Sequence, residues 1–426
     1  MRKPNAYTRH AAGLPTALVS PQPMSPRSAA LHHGGPGGAF AGLFGGGRRG
    51  AIIADAVAVL GALWALLATA YVMHQLWPSG GGSAMDQAYA LEPVLISYSY
   101  FEKDPVQVAN FEFFLAAGTQ HPPRHTDMHW AIVVSGENCS PCQGLYGILR
   151  NRETADLRDW GIKEAWHDPK FSLILRSDNV GMDLGAHNAT LEYFSYLRLL
   201  GRYKYFVFLN SSVKGPFYPP WVPPGWHWTH AYLARMGREV HAVGSSLVCL
   251  PEADAGGPGP RLESWAFALD QDGLGAALEA GVFVTRTCKL CTDGDQGIVV
   301  GGEYRLTQAQ FEEGYNVATL MARYAPGTDW RDEANWGCND NVHPSRAGTY
   351  GGISFHPYET VFVKSSWHVA DPYTKRYSQW ALQHLLGKPG TEGQFNEKLY
   401  AISEEAQRPR DLEEAYHPKL KTGAVR

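Results

Sequence analysis

The chain has 426 residues, of which 44% are hydrophobic and 18% charged, so it can bury one large core or two medium-sized ones. Its first 50 residues hold six Lys or Arg and no Asp or Glu, which leaves 31 basic and 41 acidic residues in 51–426. The net charge of that larger part is −10. A surface of this sign argues against nucleic acid as a partner and favours a neutral acceptor molecule.

The N-terminal region divides into three segments by composition. Residues 1–50 are rich in Pro, Gly, Ala and Ser, and we predict a disordered basic tail. Residues 56–76 form an apolar run of 21 residues, long enough to span a bilayer, and we place a transmembrane signal-anchor at 51–77. The alternatives are a buried core helix and a cleaved signal peptide, but fifty residues precede the run. Small residues in 78–92 predict a flexible stem.

The charges beside the apolar run predict its orientation. Arg48 and Arg49 precede it, and no Lys or Arg follows until Lys103. The positive-inside rule then places the N-terminus in the cytosol and the rest of the chain in the lumen. We therefore expect a single-pass type II membrane protein.

All six cysteines follow the apolar run, on the side expected to be oxidising: Cys139, Cys142, Cys249, Cys288, Cys291 and Cys338. An even number there favours disulfides, although the sequence does not give their connectivity. The alternative is a zinc site built from the two CxxC pairs, which lie far apart in the chain.

The folded part begins with strand patterns that alternate with helix patterns. We predict strands at 94–98 and 129–134, and a helix from Pro105 to about Ala117 with Asp104 as its N-cap. Two further apolar runs, 171–176 and 205–209, flank a helical pattern that Gly201 is placed to end. This order predicts an α/β fold with a mostly parallel sheet flanked by helices over 93–385.

The secondary-structure patterns in the second half of the chain are weaker. They predict strands at 240–248, 261–270 and 359–364, and helices at 273–280 and 307–324. A charged tail follows at 386–426. Between the two halves lie Trp221, Trp226 and Trp228, which either stack on sugar rings or pack the loop that contains them.

Two loops follow the strands of the central unit. In parallel α/β units ligands bind beyond the carboxyl ends of the strands, so we expect the loop 178–183 to face Asn210, Ser211 and Ser212. Gly181 and Gly185 would let the backbone approach a ligand, and the next helix offers its N-terminal amides to a diphosphate. The alternative is a pair of ordinary tight turns.

The residues around these loops carry a family resemblance. Asn179-Val-Gly-Met-Asp-Leu-Gly185 and Tyr205-Phe-Val-Phe-Leu-Asn-Ser-Ser-Val-Lys-Gly-Pro-Phe217 resemble the rhamnan-synthesis-F-like glycosyltransferases. Weaker similarity extends over 93–367. The resemblance implies a GT-A-like fold, a nucleotide-sugar donor with its diphosphate near 210–212, and transfer of a hexosyl or deoxyhexosyl group to a glycan or glycoconjugate hydroxyl. Together with the predicted anchor, it points to the Golgi membrane.

The chain departs from this family pattern where a metal ligand is expected. GT-A enzymes place a carboxylate at the end of the strand that here ends in Ser211 and Ser212, and serine hydroxyls are weak ligands for Mn²⁺ or Mg²⁺. Either Asp183 or Asp178 supplies the negative partner of a divalent cation, or basic side chains such as Lys214 offset the diphosphate charge. Asp183 is our candidate metal ligand.

The resemblance and the loops together define the candidate site. The donor-binding candidates are Asp178, Asn179, Gly181, Asp183, Gly185, Asn210, Ser211, Ser212 and Lys214. Candidates for the base that activates the acceptor hydroxyl are Glu263 and Asp270, for which a strand residue in solvent and a helix N-cap are the alternatives. The rival functions are an inert lectin-like or scaffolding relative and a zinc-dependent luminal enzyme.

Overall fold

The computed structural model describes residues 92–120, 127–146, 149, 152–153, 157–223, 225–291, 296–346, 349–350, 355–365 and 372–386. The predicted basic tail, the predicted anchor and all but one residue each of the predicted stem and C-terminal tail lie outside these ranges. Within them, no helix has the length and apolar character needed to cross a membrane.

The strands are, in chain order, β1 Val94–Phe101, β2 Met128–Ser135, β3 Arg152–Glu153, β4 Ile162–Asp168, β5 Phe171–Arg176, β6 Tyr205–Asn210, β7 Val213–Lys214, β8 Val240–Gly244, β9 Leu247–Leu250, β10 Gly259–Leu262, β11 Ala266–Asp270, β12 Asn316–Thr319 and β13 Val363–Lys364. The α-helices are α1 Pro105–Ala117, α2 Gln143–Tyr146, α3 Met182–Tyr196, α4 His230–Leu233, α5 Gln271–Glu279, α6 Arg305–Glu312, α7 Pro357–Thr360 and α8 Pro372–Trp380.

Nine strands form the central sheet, in the order β12-β8-β11-β6-β1-β2-β5-β4-β3. Four adjacent strands, β6, β1, β2 and β5, are parallel to one another, which confirms the parallel centre. Both sides of this centre contain antiparallel pairs, β11 with β6 and β4 with β5. The prediction of a mostly parallel sheet is therefore wrong for the sheet as a whole, which is mixed.

The parallel centre forms as the sequence predicts because its strands are almost continuously apolar. All eight residues of β2 are buried, as are seven of the eight in β1. Strands buried on both faces need such composition. Helix α1 begins at its predicted N-cap, where the Asp104 carboxylate accepts a hydrogen bond from the Val106 amide at 2.8 Å.

Four predicted elements in the second half differ from the structure. Positions 240–248 and 261–270 each contribute to two strands, because the chain turns after Gly244 and again at Glu263–Trp265. The predicted helix 307–324 ends after Glu312, since Gly314 has a φ of 77° and the next residues pair with β8 as strand β12. In the strand predicted at 359–364, the first two residues belong to helix α7 and only the last two form a strand, β13.

The cysteines form three disulfides, Cys139–Cys142, Cys249–Cys338 and Cys288–Cys291. This confirms the prediction of disulfides. Each CxxC pair closes on itself, so the sulfur atoms are not available as thiolate ligands. The alternative of a zinc site shared between the two pairs is therefore wrong.

Candidate active site

A cavity of about 570 Å³ opens at the carboxyl ends of β1 and β6. Segments from six further parts of the chain complete it, and its lining consists of Ser99, Phe101, Lys103, Gln107, Asn179, Met182, Asp183, Asn210, Ser211, Ser212, Leu262, Glu263, Ser264, Trp265, Lys289, Leu290, Val299, Glu303, Tyr304, His343, Ser345, Arg346 and Lys364. Its position beyond the parallel strands is the one that open α/β sheets use for ligands.

Asp183 and Asn210 connect the two loops that the sequence predicts to face each other. The Asn210 amide Nδ2 donates to Asp183 Oδ2 at 2.6 Å. Asn210 Oδ1 accepts from the amide and the hydroxyl of Ser212, at 3.0 and 2.5 Å. The structure thus brings Asp183, Asn179, Asn210, Ser211 and Ser212 together in one cavity wall, as expected.

The glycines of the first loop serve the backbone of that loop. Gly181 has a φ of 76° directly before α3, and Gly185 packs so closely that a Cβ would overlap the Val180 carbonyl oxygen. Arg176 fixes the same carbonyl with a hydrogen bond of 2.7 Å. Neither glycine lines the cavity, so the observed geometry gives them a role in shaping the turn rather than in contacting a ligand.

Glu263 lies in the cavity wall with both carboxylate oxygens hydrogen-bonded to the protein. Ser246 Oγ donates to Oε2 at 2.5 Å, while His343 Nδ1 and Ser345 Oγ lie 3.2 Å from Oε1. Burial acts to raise the pKa of Glu263, but the interactions with His343, Ser246 and Lys364 outweigh it and the pKa is lowered. Glu263 is therefore an ionised group that holds the 343–345 segment against the sheet.

Glu303 is the carboxylate that the sequence patterns did not identify. It stands in one turn of π-helix, Val299–Tyr304, which packs against α3 because Gly302 leaves room for Leu184. Burial and the nearby charge of Asp183 raise the pKa of Glu303 to about 8, against the opposing effect of Lys364 and Lys289. The only signal in the sequence is a single acid within the stretch 297–304, which is otherwise made of apolar residues, tyrosine and glycine.

Lys364 brings positive charge to the same wall. It lies in β13, a two-residue strand that pairs with β7. Burial lowers the pKa of Lys364, while Glu263, Asp183 and Glu303 act to raise it. Lys289, between the cysteines of the second CxxC pair, is exposed at the mouth of the cavity.

Besides Gly181 and Gly185, three predicted site residues lie outside the lining. Strand β11 runs antiparallel to β6, so Asp270 stands opposite Tyr205 at the other end of the sheet. There its carboxylate caps α5 and pairs with His241 at 2.8 Å. Asp178 is exposed and accepts from the Val180 amide, and Lys214 is buried in β7. The structure does not bring these three to the cavity.

The tryptophans after β7 do not line the cavity either. Trp228 is buried and donates to the Gly118 carbonyl at 3.1 Å, while the Trp226 ring packs against Tyr218. Packing of the loop therefore accounts for both. Trp221 is 79% exposed.

The side chains at the end of β6 are poorly suited to coordinate a divalent cation. Within the described ranges, no three His, Cys, Asp or Glu side chains are grouped so that they could hold a metal ion. Asp183 is the carboxylate beside the end of β6, and its two oxygens accept hydrogen bonds from Asn210 and from the Leu184 amide. Mn²⁺ and Mg²⁺ need several oxygen ligands, which Asn210, Ser211 and Ser212 supply weakly.

The solved structures that are similar to this chain include two of glycosyltransferases. A mannosyltransferase from Pyrobaculum calidifontis, in complex with GDP-mannose and Mn²⁺, has 12% sequence identity and a TM-score of 0.31, over 84% of this chain and 93% of its own. The bifunctional glycosyltransferase WbbM, in its apo form, has 11% identity and a TM-score of 0.25, over 64% of this chain and 49% of its own. With TM-scores this low, we rest no functional conclusion on either similarity. No protein-family model and no curated protein sequence matches the chain.

Proposed function

We propose that the protein transfers a glycosyl group from a nucleoside diphosphate sugar to a hydroxyl of a glycan or glycoconjugate. The observation that carries this proposal is the cavity at the carboxyl ends of the parallel strands, in which Glu303 lies close to Asp183 and Lys364. A carboxylate whose pKa lies near the working pH is suited to proton transfer, and a covered ammonium group is suited to a phosphate.

Each group has a defined part in the reaction. The Glu303 carboxylate takes the proton of the acceptor hydroxyl as the acceptor oxygen bonds to the anomeric carbon of the donor. The bond from that carbon to the diphosphate oxygen breaks, and the nucleoside diphosphate leaves with the electron pair. Asp183, oriented by Asn210, lies beside the base and helps to keep its pKa high.

The cellular setting is a second part of the proposal. We place the catalytic domain in the Golgi lumen, anchored by the apolar run at 56–76. The basic residues before that run support the type II orientation, and the three disulfides support an oxidising compartment.

The test is a screen of the full-length protein in detergent against a panel of nucleotide sugars, with release of nucleoside diphosphate as the readout. We expect one donor class to be hydrolysed slowly, and faster when a suitable acceptor is added. Glu303→Gln should lower the rate of acceptor-dependent release by about 10²–10⁴-fold, because a positioned base contributes about that much. The matched control is Glu313→Gln, an exposed acid just after α6.

Absence of release from every nucleotide sugar, with and without an acceptor, would instead support an inert lectin-like relative. Full activity in Glu303→Gln would show that another group accepts the proton.

A further inference from the structure

The cavity lining has an excess of positive charge in a domain that is otherwise negative. Its cations are Lys103, Lys289, Arg346 and Lys364, and its carboxylates are Asp183, Glu263 and Glu303. The cations are in excess whether Glu303 is ionised or protonated. Residues 51–426 carry a net charge of −10, so the cavity lining has the opposite sign to this part of the chain as a whole.

The charges are close enough to affect one another. The pKa of Lys364 responds first to burial and then to Glu263, Asp183, Glu303 and Lys289, so these groups share one electrostatic environment. Lys364 is half-buried, whereas Lys103 and Lys289 are exposed, and water screens a half-buried ammonium group less when an anion binds. Lys364 is therefore the cation with the most to contribute to an anionic ligand.

Two of the three carboxylates, Glu263 and Asp183, are already engaged by the protein. Glu263 accepts hydrogen bonds from Ser246, His343 and Ser345, and Asp183 accepts from Asn210 and Leu184. Groups arranged in this way offer little to a cation. Instead, both carboxylates stabilise the positive charge of Lys364, because each one raises the pKa of that lysine.

We propose that Lys364, supported by Lys289, Arg346 and Lys103, binds the diphosphate of the donor in place of a divalent cation. This inference rests on the proposed function and specifies how its site holds the donor. The two ionised phosphates of the donor meet an excess of cations in the cavity that also contains the poorly ligating end of β6. As the donor bond breaks, Lys364 stabilises the charge that grows on the departing diphosphate.

The experiment measures binding of UDP, GDP and dTDP to the full-length protein by calorimetry, with EDTA and then with Mn²⁺. We expect one nucleoside diphosphate to bind in EDTA with an affinity that Mn²⁺ changes by less than about threefold. Binding that appears only with Mn²⁺ would overturn the inference and leave the proposed function standing. Absence of binding of all three under both conditions would overturn both.

Substitutions identify the side chain that binds the nucleoside diphosphate. Lys364→Met should weaken nucleoside diphosphate binding in EDTA by about tenfold or more, the usual effect of losing a hydrogen bond to a charged group. Lys170→Met, an exposed lysine in the β4–β5 turn at the other end of the sheet, should leave the affinity unchanged. Thermal unfolding checks that each variant is folded.

Two further variants serve as controls. One tests the loss of a positive charge without a change in the core, and the other tests whether proton transfer can be lost while binding is kept. Lys289→Met removes an exposed charge without disturbing a core, and it should weaken binding by about threefold even if Lys364→Met proves unstable. Glu303→Gln should bind the nucleoside diphosphate at least as tightly as the wild type while losing transfer. Unchanged affinity in both lysine variants would overturn the inference.

Discussion

At the scale of single residues, Glu303 and Glu263 show how two acids in one cavity acquire different properties. Glu263 has three hydrogen-bond donors around its carboxylate and a lowered pKa. Burial and the neighbouring carboxylate of Asp183 raise the pKa of Glu303 to about 8. Environments that push two pKa values apart commonly separate a structural ion from a proton-transfer group.

The pH dependence of transfer follows from Glu303. Its base form predominates only above its pKa of about 8, so kcat/KM for transfer should increase with pH and level off above about pH 8. The residual rate of Glu303→Gln should lack this dependence. A wild-type profile that is flat between about pH 6 and pH 9 would contradict the assignment of the base.

The same group also gives a readout that does not depend on activity. In the folded protein the carboxyl stays protonated up to about pH 8, whereas in the unfolded chain it ionises near its ordinary pKa of 4.5. The folded state thus binds more protons between these values, so this group lowers the free energy of unfolding as pH rises through that window. Glu303→Gln should remove this contribution to the pH dependence of Tm.

At the scale of elements, the loop before α3 depends on a close backbone contact. Gly185, in the first turn of α3, touches the Val180 carbonyl that Arg176 also binds, so the loop and the helix are packed with no room for a side chain. This contact fixes the direction in which α3 presents Asp183 to Asn210. The geometry of the cavity wall therefore depends on a residue that does not line it.

Gly185→Ala should destabilise the fold and distort the cavity wall. The added methyl group would overlap a backbone atom that cannot rotate away, and such overpacking typically costs about 1–3 kcal/mol. Gly201→Ala is the control, because a Cβ there meets nothing within 4 Å. Urea unfolding of both variants measures the difference, and equal stabilities would show that the loop can relax.

The elements that the sequence predicts correctly are those whose signals are local. The apolar runs of β1, β2, β5 and β6 specify buried parallel strands by composition, and parallel strands place the loops that follow β5 and β6 at the same edge of the sheet. The helix predicted at 307–324 was wrong because tertiary pairing of β12 with β8 overrides helical periodicity. Glu303 and Lys364 could not be placed beside Asp183, since no local pattern reports which distant turns pack against α3.

At the scale of the whole molecule, the cavity is assembled from segments that are far apart in the chain. Its wall near His343 and Arg346 follows the short helical turn Cys338–Asn341, which the Cys249–Cys338 disulfide joins to β9. The Asn339 side chain adds a hydrogen bond of 3.1 Å to the Leu247 carbonyl. The disulfide therefore holds a cationic part of the cavity against the β9–β10 pair.

Removal of this disulfide should cost more stability than removal of a short one. Cys249 and Cys338 are 89 residues apart, and loop-closure entropy predicts a stabilisation of about 4–5 kcal/mol for a loop of that size. Cys139 and Cys142 are separated by three residues, so their bridge constrains the unfolded chain far less. The double variant Cys249→Ala/Cys338→Ala should consequently have a lower Tm than Cys139→Ala/Cys142→Ala by calorimetry, and it should also bind nucleoside diphosphate more weakly. Equal Tm values for the two variants would mean that hydrogen bonds such as that of Asn339 hold the segment without the disulfide.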